Sequence, residues 1–111
     1  MELDLINELN RMNLQLTASI KKLAENGRAL AQAEKDYKIK LYEEVLRLKD
    51  KNTPATLINL LIYGVREVAE LRFKRDIAET LYNTNLEHIN ATKLQLRLLE
   101  NQISREWGSA K

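Results

Sequence analysis

The chain of 111 residues contains no cysteine, one proline and three glycines, and only 5% of its residues are aromatic. Without cysteine there are no disulfides, no thiolate metal sites and no cysteine nucleophile, which fits a reducing cytosol. One proline and three scattered glycines leave few places to break a helix, and no glycine-rich phosphate loop can be assembled from Gly27, Gly64 and Gly108. With so few aromatic rings, a core has to be built from Leu and Ile. Charge of one sign is also missing: the formal net charge is +2, too small to imply polyanion binding. Long apolar runs are absent as well. The longest uncharged apolar run, residues 55–65, is interrupted by Asn59 and Gly64 and falls short of the roughly 20 residues that span a bilayer. The acidic opening Met1-Glu2-Leu3-Asp4 lacks the basic-then-apolar order of a signal peptide. The expectation is a soluble, cytoplasmic protein with no membrane partner.

What is present is a seven-residue rhythm. Leu9, Leu16, Leu23, Leu30 and Tyr37 recur at that spacing, interleaved with Leu5, Met12, Ser19, Asn26 and Ala33. This three-and-four alternation is the seam of a coiled coil and predicts a helix over about residues 3–49. Beyond Tyr37 the apolar positions Leu41, Val45 and Leu48 step by four, four and three, a stutter that relaxes the supercoil. Asn26-Gly27 is a turn signal, but Leu23 and Leu30 hold phase across it, so a continuous helix is expected there. Gly27, Ala29, Ala31 and Ala33 offer a stretch of small residues that a second helix can approach.

A connector, Asp50-Lys51-Asn52-Thr53-Pro54, follows. Thr53 reads as the N-cap and Pro54 as the first residue of a short apolar helix over about 54–63, with Gly64 as a left-handed cap. A second long helix is expected over about 66–107. Its seam is Tyr82, Ile89, Leu96 and Ile103, interleaved with Leu71, Ala78, Asn85, Thr92 and Leu99.

The predicted fold is therefore all-α: a single domain formed by a long antiparallel, coiled-coil-like helical hairpin with a short helical elbow. Each arm would be on the order of 60–70 Å long. Pairing the arms evenly sets Leu9 near Trp107 and Asn26 near Ile89. Asn26 and Asn85 are candidate register-setting polar residues, because buried amides in a seam specify alignment at some cost in stability. Leu14, Ile20, Ile39 and Leu46 on the first helix, and Phe73, Ile77, Leu86, Leu94 and Leu98 on the second, fall off the seam. A lone hairpin would leave them wet, so a homo-oligomer is expected, with two hairpins pairing into a four-helix bundle as the favoured form.

Chemistry-bearing constellations are sparse. His88 stands alone, and the position three residues before it, where a di-iron bundle motif requires Glu, is Asn85. Glu43-Glu44 reads as a solvated helix face. Neither a catalytic set nor a metal or cofactor site is indicated. Residues 35–76 hold ten basic against seven acidic side chains, and Arg66, Arg72, Lys74 and Arg75 are candidate nucleic-acid contacts if they share a face. An ordinary salt-bridged surface is the competing reading. Residues 56–69 have the rhythm of a helix-turn-helix, but the helix that follows is too long and too committed to the seam for a recognition helix.

The run Glu67-Val68-Ala69-Glu70-Leu71-Arg72-Phe73-Lys74-Arg75-Asp76-Ile77-Ala78-Glu79, with Tyr82 and the closing Arg105-Glu106-Trp107-Gly108, resembles uncharacterised small helical proteins of phages and prophages of Gram-positive bacteria. Residues 1–12 and 84–107 are similar too. The resemblance implies an intracellular phage accessory protein encoded among early genes, and it carries over no catalytic residue. The leading expectation is a non-enzymatic coiled-coil interaction module that engages a host or phage protein acting in replication, recombination or defence. The alternatives are a nucleic-acid-associated recombination or replication accessory, and a structural or scaffolding coiled coil.

Overall fold

The computed structural model describes residues 2–109, and all of its regular secondary structure is helical. Helix α1 spans Glu2–Asp50, α2 spans Ala55–Leu61, a single 3-10 turn covers Ile62–Gly64, and α3 spans Arg66–Ser109. Met1 of the acidic opening and the last two residues of the polar tail lie outside the described residues. Helix α1 runs unbroken through Asn26-Gly27. Its last turn carries Arg47 and Lys49, and the first turn of α3 carries Glu67, charges that suit the respective ends of the helix dipole.

Where α1 ends, the structure departs from expectation. Asn52 takes a left-handed conformation with φ of 61°, while no described glycine has a positive φ. The Thr53 amide donates to the Leu48 carbonyl at 3.1 Å and the Asn52 amide to that of Lys49 at 2.9 Å. These two bonds form a Schellman cap, with Asn in the position that usually goes to Gly. Gly64 therefore does not serve as the left-handed cap: it sits in the 3-10 turn. Pro54 also moves by one position. It is the N-cap of α2, and its carbonyl accepts from the amides of Leu57 and Ile58 at 3.0 Å, while no side-chain cap is made. Proline suits this place because its extended backbone ends the connector and it has no amide to satisfy.

The chain divides into two units, each containing part of α1 and part of α3. The elbow unit, Asn26–Tyr82, includes the whole connector. Its core is Tyr37, Ile62 and the fully buried Val68, with Leu41, Val45, Leu48, Val65 and Leu71 packed around them. Because Ile62 joins a cluster with Val45 and Leu48, the elbow lies back along the last turns of α1, and α3 begins before α1 has ended. That offset changes the register. Even pairing would set Tyr82 opposite Ala33, but the Tyr82 ring lies over Gly27, 3.6 Å from where a Cβ would stand. Farther up, the Arg75 guanidinium stacks 4.7 Å from the centre of the Tyr37 ring. Position numbers fall on α3 as they rise on α1, so the two stretches are antiparallel.

The terminal unit combines residues 2–25 with 83–109. Met12, Ile89, Leu96 and Thr92 are buried in it, and Leu5, Leu9, Leu16, Leu23, Leu99 and Ile103 are half-buried. Asn85 Nδ2 donates to the Ser19 carbonyl at 3.1 Å. Pairing Leu9 with Trp107 would have set Ser19 opposite Arg97, so here too the residue met on α3 comes earlier than expected. Trp107 remains exposed.

Candidate functional site

The heptad positions divide sharply by burial. Leu9, Leu16, Leu23, Leu30, Tyr82 and Ile103 are half-buried, and Tyr37, Ile89 and Leu96 are buried. All nine are therefore covered at least in part by the chain's own helices. Of the two amides, Asn85 bridges to Ser19 in the terminal unit, using the second lone pair of a helical carbonyl. Asn26 is half-buried in the elbow unit. Thr92, fully enclosed, satisfies its hydroxyl within α3 by donating to the His88 carbonyl at 2.8 Å, so it adds no bond between helices. His88 is itself exposed.

The apolar residues off the seam are mostly left in water. In the terminal unit Leu14, Ile20, Leu94 and Leu98 are exposed, whereas Leu86, expected to be wet, is half-buried. In the elbow unit Ile39, Tyr42 and Leu46 on α1 and Phe73, Ile77 and Leu81 on α3 are exposed. On a helix advancing about 100° per residue, the α1 trio stands roughly 140–200° around from Tyr37, and the α3 trio roughly 140–220° around from Val68. Both stripes therefore face away from the core. Helix α2 adds more: Leu57, Leu60 and Leu61 are exposed, Leu60 at 78%, and only Ile58 of that helix is buried. An isolated three-element corner cannot cover both sides of a helix whose apolar residues occur on nearly every turn face.

The candidate nucleic-acid residues do not converge. Taking Arg66 as the origin, Lys74, Arg75 and Arg72 stand roughly 80°, 180° and 240° around α3. Two of them are occupied. The Arg72 guanidinium lies 5.0 Å from the Tyr63 ring centre, and Arg75 is stacked on Tyr37 while donating to Asp76 Oδ1 at 2.8 Å. The bond to Asp76 holds the Arg75 pKa above its usual value. Stacking of this kind brings a charged side chain onto apolar surface and uses it as packing.

Two carboxylates are also committed locally. Glu44 is buried rather than solvated, correcting the reading of Glu43-Glu44 as an open face. It accepts from Arg47 and lies 3.5 Å from the Lys40 ammonium, and the Arg47 bond holds its carboxyl below the usual range. Glu8 is lowered likewise by its bonds to Arg11. Together with Arg11, the residues Met12, Gln15, Leu99, Gln102 and Arg105 border an open groove of about 610 Å³ in the terminal unit. Its ionised Arg11 is already paired with Glu8, and its other polar groups are mainly amides, which bind but neither donate nor accept protons in general acid–base work. Among the described residues no three of His, Cys, Asp and Glu gather as a metal site, and no helix is long and apolar enough to cross a membrane.

No protein-family model, curated protein or solved structure matches the chain.

Proposed function

We propose that this protein is a non-enzymatic interaction module that self-associates through apolar helix faces its own fold leaves uncovered and thereby presents a binding surface to a protein partner. The carrying observation is the contrast within α1 and α3. Seam positions are buried or half-buried within one chain, while Leu14, Tyr42 and Phe73 remain 66–73% exposed. Scattered exposed leucines are ordinary, but rows of them at helical spacing mark contact surfaces. The phage and prophage resemblance supports a role as an accessory protein of the host cytoplasm acting on a host or phage protein. The dispersal of Arg66, Arg72, Lys74 and Arg75 around α3 favours a protein partner over nucleic acid.

Light scattering coupled to size exclusion tests the reading. A dimer or larger assembly is expected at micromolar concentration, and a mass of one 12.9 kDa chain across that range overturns it.

A further inference from the structure

The exposed face of α1 in the elbow unit has the pattern of a second seam. Ile39, Tyr42 and Leu46 continue the three-and-four step on the side turned away from Tyr37. One flank of this stripe carries Lys38, the other carries Asp36, Glu43 and Asp50, and Lys35 and Lys49 extend the row at its two ends. We propose that this face docks on the same face of a second copy of the chain, with the two α1 helices parallel and the two elbows at the same end.

The flanking charges decide the direction, because Lys35 and Lys49 at the ends of the row meet a lysine of the other copy either way. In a parallel helix pair each flank meets the opposite flank of its neighbour, so Lys38 of one copy stands against Glu43 of the other, twice across the two-fold axis. An antiparallel pair brings like flanks together and sets Asp36, Glu43 and Asp50 against the same carboxylates of the other copy, which repel. Both members of the favoured pair are available. Lys38 is exposed and, among the described residues, has no carboxylate within ion-pair distance. Glu43 is exposed, and the Lys40 ammonium is 3.9 Å away, too far for a good hydrogen bond.

The elbow supplies a second argument. Residues 55–65 carry no charge and expose Leu57, Leu60, Leu61 and Tyr63. Parallel docking places these two apolar ends together, where each shortens the water-facing surface of the other; antiparallel docking leaves them apart. The arrangement also differs from a four-helix bundle, in which the uncovered faces of both arms would share one core. Here Phe73, Ile77 and Leu81 lie on the far side of α3 from its core and stay outside the two-fold contact.

This inference rests on self-association and specifies its geometry, so the experiment separates the two. The chain has no cysteine, so single substitutions report cleanly. Ile39→Cys and Leu46→Cys are each expected to give a covalent dimer under mild oxidation, because a parallel two-fold sets each position against itself. Lys38→Glu is expected to weaken the dimer about tenfold, as two exposed ion pairs become repulsions, and adding Glu43→Lys to it is expected to restore the affinity. A dimer by light scattering in which neither cysteine variant cross-links, or in which the charge swap fails to restore affinity, overturns the parallel docking and leaves self-association standing. A monomer under the same conditions overturns both.

Discussion

The elbow unit and the terminal unit use the same two helices and hold them together differently. In the elbow unit three elements meet, and Tyr37, Ile62 and Val68 come from α1, the 3-10 turn and α3 in turn. Arginines there pack flat on Tyr37 and Tyr63, so even the cations contribute contact area. The terminal unit has only two helix segments, and its middle is polar: Asn85 reaches the Ser19 carbonyl and Thr92 folds its hydroxyl back onto α3. A third element adds packing partners from another direction, and Val68 beneath it is the one side chain here with no exposure at all. A polar bond supplies alignment, because an amide buried one turn out of place loses its acceptor.

Truncating one core residue in each unit tests whether the third element matters. Ile62→Ala is expected to lower the unfolding free energy by about 2–5 kcal/mol, and Ile89→Ala to fall nearer the lower end, since a cavity between two helices collapses or floods more readily. Urea denaturation followed by circular dichroism gives both values. If Ile89→Ala proves the costlier of the two, the third element is not what deepens the elbow core.

A smaller effect sharpens the polar side of the contrast. Asn85→Ala removes the hydrogen bond to the Ser19 carbonyl, which keeps its helical partner, and is expected to cost at least about 1 kcal/mol. Amide exchange should quicken around Ser19 and Asn85 and change little around Val68. Equal quickening in both places would show that the amide supports the whole chain and not the terminal unit alone.

The smallest change concerns Gly27, the second residue of the elbow unit. A Cβ there would stand 3.6 Å from the Tyr82 ring, ordinary van der Waals distance, and the helix continues on both sides. Gly27→Ala is expected to stabilise by roughly 0.5–1 kcal/mol through helix propensity alone, raising the melting temperature by a few degrees. A fall in melting temperature would mean that Tyr82 needs the space.

The amino-acid order by itself determined the elements and their inner faces. Apolar periodicity at seven residues marks Leu9, Leu23, Tyr37, Ile89 and Leu96 because a helix repeats its face at nearly that interval, whatever it packs against. Phase across Asn26-Gly27 likewise indicated one helix, since a turn would have shifted Leu30 out of line. The turn itself was beyond that logic. Asn52, Thr53, Pro54 and Gly64 are all plausible punctuation, and only the packing of Ile62 against the end of α1 selects Asn52 as the left-handed cap and offsets α3. Tertiary structure also buried Glu44 beside Arg47 and Lys40 and stacked Arg75 on Tyr37, because long charged side chains go where neighbours from distant positions leave room for their stems. The uncovered rows, Ile39-Tyr42-Leu46 above all, were visible as residues off the seam. That they face directly away from it, and so call for a neighbour outside the hairpin, became clear only once burial had settled which side of each helix was inside.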